Sequence, residues 1–123
     1  MNAATSKRIL VADDADTITS LLMTALQTSG YEVVVATNGI ETYEKGLSED
    51  FDLVILDHLM PGLLGLEIIE RWRREGVETP VIMLSGVDDD HTVVASLDLG
   101  ALDFVRKPFR LPELMARIRQ RVN

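Results

Sequence analysis

The feature that most constrains this chain is a recurring unit, a short run of strand character that ends at a polar residue. Ile9-Leu10-Val11-Ala12 is followed by Asp13-Asp14, and Leu53-Val54-Ile55-Leu56 by Asp57. Val81-Ile82-Met83-Leu84 is followed by Ser85, and Leu102 to Arg106 by Lys107. Short continuous apolar runs bounded by polar residues suit strands buried on both faces. The segments between them carry apolar residues at helical spacing, so the chain predicts βα repeats around a parallel sheet. In such a sheet all strands end on one edge, where open α/β sheets bind ligands. Asp13, Asp14, Asp57, Ser85 and Lys107 therefore converge on a single site.

The intervening punctuation predicts five helices. Asp16 caps a first helix with Ile18, Leu21, Leu22, Ala25 and Leu26 as its buried stripe, and Gly30 stops it before a second strand, Glu32–Ala36. Asn38-Gly39-Ile40-Glu41 has the form of a capping box and opens a short helix ending near Gly46 or Leu47. Met60-Pro61-Gly62 is a loop before a third helix (Leu66, Ile69, Trp72 or Arg73) that Gly76 terminates. Pro80 begins the fourth strand, and Gly86-Val87-Asp88-Asp89-Asp90 leads into a fourth helix ending at Gly100. Pro112 sits in the first turn of the last helix, where its missing N–H costs little, and Leu111, Leu114, Met115, Ile118 and Val122 form that helix's stripe. One compact (βα)5 domain over residues 1–123 is the expectation.

Composition narrows the partners. With 20 acids against 12 basic residues the net charge is −8, which disfavours nucleic acid as a direct ligand. There is no cysteine, so disulfides and thiolate metal sites are excluded. No apolar run is long enough for a signal peptide or a bilayer span, and a cytoplasmic protein with no membrane partner is expected. The C-terminal segment is locally basic, with Arg106, Lys107, Arg110, Arg117, Arg119 and Arg121.

Two carboxylates placed directly after a buried strand cost several kcal/mol unless a cation or hydrogen-bond donors compensate them. A hard divalent cation is the natural compensation, because Mg²⁺ takes oxygen ligands, keeps several waters and is held by one or two carboxylates together with phosphate oxygens. Lys107 adds a positive charge on the far side. Three carboxylates, a hydroxyl and an ammonium make a site suited to a divalent metal and a phosphoryl group.

Val11-Ala12-Asp13-Asp14, Leu56-Asp57-His58-Leu59-Met60-Pro61-Gly62, Ser85-Gly86 and Gly100-Ala101-Leu102-Asp103-Phe104-Val105-Arg106-Lys107-Pro108-Phe109 together resemble the receiver domain of two-component response regulators. The resemblance covers essentially the whole chain. It implies a flavodoxin-like (βα)5 doubly wound parallel five-stranded sheet, order 2-1-3-4-5. It also implies residue roles. Asp57 would accept a phosphoryl group from a sensor histidine kinase or histidine phosphotransfer protein. Asp14 and Asp57 would ligate Mg²⁺, with Asp13 acting directly or through water and the Leu59 backbone carbonyl as a further ligand. Lys107 would neutralise the phosphoryl oxygens, and its bond to Pro108 would be cis. Ser85 would hydrogen-bond the arriving group, and the Phe104 ring would move in response, as a two-state element that relays the event to the face of the fourth helix, fifth strand and fifth helix. Many relatives carry Tyr at the Phe104 position, so this switch rests on packing alone. Leu59 and Val87, both apolar, occupy the positions that the family varies around the phosphoryl group. Neither can orient an attacking water, so a long-lived phosphoaspartate is expected.

His58 beside Asp57 invites a phosphotransfer role, but successive strand residues face opposite ways, which makes it structural or loop-facing. Met60 and Trp72 read as packing. An aspartyl-phosphate phosphatase of the haloacid dehalogenase type would need a second acid two residues after the nucleophile, where Leu59 stands. A flavodoxin-like ligand-binding module would need a phosphate-cradling loop where Asp13 and Asp14 stand.

The last helix resembles that of receivers joined to a winged-helix DNA-binding domain, which dimerise through charge pairs on this same face. Asp103 and Arg117 match one such pair and Glu113 half of another, whereas Val93 replaces the basic partner of Glu113 and Leu102 replaces an acid. These departures leave a homodimer open and favour an apolar face for an output protein or domain. A stand-alone or excised receiver is the expectation, with the receiver of a DNA-binding regulator as the alternative.

Overall fold

In the computed structural model, which describes residues 6–86 and 89–122, strand and helix alternate without exception. The order is β1 (Arg8–Ala12), α1 (Asp16–Thr28), β2 (Glu32–Ala36), α2 (Gly39–Ser48), β3 (Leu53–Leu56), α3 (Gly65–Arg74), β4 (Val81–Ser85), α4 (Asp90–Asp98), β5 (Asp103–Arg106) and α5 (Leu111–Val122). The five strands are all parallel and lie in the order β2-β1-β3-β4-β5. The parallel βα repeat is the one expected from the residues, and the strand order is the doubly wound one that the resemblance implies. Val87, and Asp88 beside it in the expected loop, lie outside the described residues.

Alternation along each strand builds two cores. Ile9, Val11, Leu53, Ile55, Ile82 and Leu84 face the layer of α1 and α5, where Leu22, Leu26, Leu114 and Ile118 meet them. Their neighbours Leu10, Val54, Leu56, Val81 and Met83 face the opposite layer, with Ile68, Ile69 and Trp72 of α3. Both faces of β1, β3 and β4 are covered, which is why these strands read as uninterrupted apolar runs.

Several local expectations change. Asp16 is the first residue of α1, and the cap position belongs to Ala15, which makes no side-chain cap bond. Asp13 Oδ1 instead accepts the Ala15 N–H at 2.9 Å, so a residue of the site also steadies the start of α1. At α2 the Asn38 side chain accepts from the Glu41 N–H at 2.8 Å, but Glu41 reaches back to the N–H of Thr37 rather than to Asn38. That helix continues to Ser48, beyond the expected end at Gly46 or Leu47. Gly46 lies within the helix because Trp72 packs there, and a Cβ would come 2.2 Å from the indole Cζ2. Leu21, expected in the buried stripe of α1, is exposed. Gly30, Gly76 and Gly100 end their helices at positive φ, as expected. Among the described residues no helix is long and apolar enough to cross a membrane.

Candidate functional site

The carboxyl edge of the sheet brings the acids together. β1 ends at Ala12 and β3 at Leu56, and these residues pair in register, so Asp13 and Asp57 leave adjacent strands side by side. The Asp57 N–H donates to the Ala12 carbonyl at 2.9 Å, and the Asp13 N–H donates to the Ala36 carbonyl at 3.1 Å. Carboxylate oxygens of Asp13, Asp14 and Asp57 lie within 4.8 Å of one another. Asp13 and Asp57 are buried and Asp14 is exposed, so the cluster opens to solvent on the Asp14 side.

Lys107 reaches the same point from the end of β5. Its Nζ donates to Asp13 Oδ2 at 2.6 Å and lies 3.4 Å from Asp57 Oδ2. Burial works against the ammonium, but the hydrogen bond to Asp13 and the charge of Asp57 outweigh it and raise the Lys107 pKa. The Asp57 pKa is raised as well, by burial and next by the neighbouring Asp13 charge, and for a carboxyl this disfavours the charged form. Lys107 and a hydrogen bond from the Leu59 backbone oppose that rise without cancelling it. Three carboxylates against one ammonium leave the cluster short of positive charge. That deficit and its all-oxygen donor set fit a hard divalent cation.

Ser85 closes β4 and is fully buried, and its carbonyl accepts the Lys107 N–H at 2.9 Å. Phe104, half-buried, pairs with Met83 two residues before the Ser85–Arg106 pair, with the Arg106 guanidinium carbon 5.9 Å from its ring centroid. The Lys107–Pro108 peptide bond is cis, as the resemblance implies. Asp13, Asp14, Asp57 and Lys107 thus meet directly, with Ser85 beneath the backbone of Lys107 and Phe104 further along β5.

His58 is structural. It is buried, its pKa is lowered mainly by that burial, and its Nδ1 accepts the Leu66 N–H at 3.3 Å, anchoring the start of α3. Met60 and Trp72 pack in the second core.

Sequence reasoning missed two glycines that shape the site. A Cβ on Gly65 would sit 2.7 Å from the Asp57 carbonyl oxygen, so only glycine lets α3 start against the loop that follows β3. A Cβ on Gly39 would meet Leu63 backbone at 2.3 Å, and the Gly39 N–H donates to the Pro61 carbonyl at 2.8 Å. Glycine at each helix start was the available signal, and its reason is tertiary.

The charge pair expected between copies closes within one chain. Arg117 Nη1 lies 2.8 Å from Asp103 Oδ2 and Nη2 lies 3.3 Å from Glu113 Oε1, so β5 and α5 are joined by the residues that resemble dimer contacts.

Comparison with known proteins gives the same architecture. A family model described as the response regulator receiver domain matches residues 9–119. An uncharacterized transcriptional regulatory protein, YkoG of Bacillus subtilis, is 41% identical over 111 residues, covering 90% of this chain and 49% of its own. The chain therefore spans about half the length of the curated relatives it matches. A CheY-like response regulator receiver domain protein from Methanospirillum hungatei superposes with a TM-score of 0.91 at 30% identity, covering 96% of this chain and 94% of that one. Response regulator TrrA of Thermotoga maritima, solved in complex with Mg²⁺ and BeF, has a TM-score of 0.82 at 38% identity, covering 93% and 97%.

Proposed function

The chain belongs to the response regulator receiver family, and from that membership we propose that Asp57 is the acceptor of its phosphoryl group, with Lys107, Ser85 and Phe104 as the parts that stabilise and report it. The protein is a phosphoacceptor switch whose own chemistry is its phosphorylation and dephosphorylation. The single observation that carries the assignment is the pair of Lys107 distances, which put one ammonium between two buried carboxylates.

The Asp57 carboxylate oxygen attacks the phosphorus of a phosphohistidine on the donor. A P–O bond forms, the P–N bond breaks, and the imidazole nitrogen keeps the electron pair and takes up a proton from solvent. Asp13, Asp14, Asp57 and the Leu59 carbonyl would hold Mg²⁺, which would supply positive charge to the phosphoryl oxygens. Lys107 leaves Asp13 to pair with those oxygens, Ser85 donates its hydroxyl to one of them, and Phe104 repacks. The receiver unit occupies residues 1–123.

A phosphohistidine can reach Asp57 only if its carrier docks beside the sheet edge. An apolar groove of about 220 Å³ lies there, lined by Ile18, Leu21, Lys107, Pro108, Phe109 and Leu111. It supports a helical kinase or phosphotransfer partner on α1 and the Pro108–Phe109 segment, and it accounts for the exposed Leu21. The output reading is an effector protein or domain on the face of α4, β5 and α5. A second reading, the receiver of a DNA-binding regulator, is favoured by relatives that are transcriptional regulatory proteins about twice this length.

The test is an amide-resonance titration with beryllofluoride and Mg²⁺, in wild type and Asp57→Asn. Saturable shifts at Asp57, Ser85 and Phe104 in wild type alone are expected. Shifts of the same size in the variant would place the acceptor elsewhere.

A further inference from the structure

We propose that the crevice between α2 and α3 is where a second copy of this chain docks, with Glu44 of the partner subunit set against Arg71 and Arg74. The proposal goes beyond the receiver reading and requires nothing of Asp57.

The crevice, about 340 Å³, is lined by Tyr43, Arg71, Arg74 and Glu75. The Tyr43 hydroxyl donates to Glu75, and the Tyr43 carbonyl accepts the Trp72 Nε1–H at 3.1 Å, so this ring is fixed at both ends. The Arg71 guanidinium carbon lies 5.8 Å from the ring centroid. Arg71 is exposed, and among the described residues no carboxylate pairs with it. Arg74 pairs with Glu70 at 3.5 Å, both side chains largely exposed, a contact worth little. On α2, Glu44 is exposed and has no cationic partner among the described residues. Arg71 lies over Tyr43, and Glu44 is a step further round α2, so the two opposite charges do not meet within one chain.

Apolar side chains flank these charges. Ile40, Tyr43 and Leu47 recur at three- and four-residue spacing, which puts them on one flank of α2. The bond from Tyr43 to Glu75 marks that flank as the one toward α3. Ile40 and Leu47 are 49% and 42% exposed, and Leu64, at the start of α3, is 41% exposed. An unpaired acid on one helix, unpaired base on the next and apolar residues beside both make a face that is complementary to itself.

A two-fold axis matches the two helices. Each follows a strand of the same parallel sheet, so α2 and α3 run in the same direction. An axis lying between and along them sets α2 of each copy over α3 of the other and keeps every residue at its own height. Tyr43 is level with Arg71 and Glu75, so Glu44 of the partner subunit arrives beside Arg71 and Arg74. Guanidinium groups match that carboxylate bidentately. Toward the start of the helices, Ile40 meets Leu64 of the partner subunit. Every contact occurs twice, as a two-fold interface requires. The apolar groove at Leu21 belongs to the opposite layer, with α1 and α5, and stays open.

The test is a concentration series of the full chain, followed by sedimentation equilibrium and amide resonances. It is run at about 0.15 M salt, where the net charge of −8 is screened beyond about 8 Å. A Kd below about 1 mM is expected, with shifts clustered at Ile40 to Leu47 and Leu64 to Glu75. Glu44→Arg and Arg71→Glu each weaken association at least about tenfold, since both copies of the contact turn repulsive at once. An equimolar mixture of these two variants restores opposite signs at both contacts and associates to within about threefold of wild type. Arg74→Glu takes the place of Arg71→Glu if that variant's amide spectrum shows a perturbed fold. A chain that stays monomeric to about 1 mM leaves the crevice to another protein or to solvent and would overturn the proposal. So would association unchanged in Glu44→Arg, shifts confined to α4, β5 and α5, or a mixture no better associated than either variant alone.

Discussion

The Lys107 ammonium rests on Asp13, at 2.6 Å, and not on Asp57, the proposed acceptor, which it approaches to 3.4 Å. An arriving phosphoryl group would compete with Asp13 for that ammonium. Asp57 is left with a buried carboxylate that one shared ammonium compensates only in part, and burial and the Asp13 charge raise its pKa.

This imbalance makes the acceptor a stability liability with a defined sign. The Asp57 carboxyl is raised above its ordinary 3.8, by burial first and by Asp13 second, so the folded state binds its proton more tightly than the unfolded chain. The contribution is fully present below the unfolded value and is lost as pH rises through the raised folded value. Asp57→Asn has no such loss. In EDTA at neutral pH the variant should melt a few degrees above wild type, the effect of about 1 kcal/mol. The gap should shrink as pH falls toward 3.8. Mg²⁺ should then raise the wild-type Tm more than that of the variant. Thermal melts followed by circular dichroism across this range check both statements.

Leu59 is 56% exposed beside the acceptor and offers no polar side chain to an attacking water. Leu59→Asn should shorten the phosphoaspartate lifetime at least severalfold while leaving the rate of phosphorylation by acetyl phosphate within about twofold, since general-base assistance acts on the hydrolytic water alone. Phosphate release after a single loading measures both.

Gly46→Ala sets two effects against each other. Alanine is the better helix former by about 1 kcal/mol. Its Cβ, however, would fall 2.2 Å from Cζ2 of a Trp72 that is fully buried and whose Nε1 donates to the Tyr43 carbonyl at 3.1 Å. Overpacking against so fixed a ring costs about 1–3 kcal/mol and wins. A lowered denaturation midpoint with altered Trp72 fluorescence is expected.

These residues also show what a sequence carries. The strand-end positions of Asp13, Asp57, Ser85 and Lys107 were legible because a parallel sheet turns linear spacing into proximity. Nothing local distinguished Asp13 from Asp14, although one is buried under Lys107 and the other faces solvent. Gly46 was misread as a helix end because a glycine signals termination locally, while its true reason is an indole from α3. Leu21 fell on a helical stripe whose margin the spacing could not fix, and it belongs to a surface groove. Asp103 and Arg117 have the residue types of an inter-chain pair, and only the distance between β5 and α5 shows that they satisfy each other.

The central claim is that Asp57 alone accepts the phosphoryl group. The most direct measurement is intact and peptide-level mass spectrometry after incubation with acetyl phosphate and Mg²⁺. The account predicts one added phosphoryl group, about 80 Da, on the peptide containing Asp57, labile to hydroxylamine and absent in Asp57→Asn. No Mg²⁺-dependent mass gain, or a gain that persists in Asp57→Asn, would contradict it.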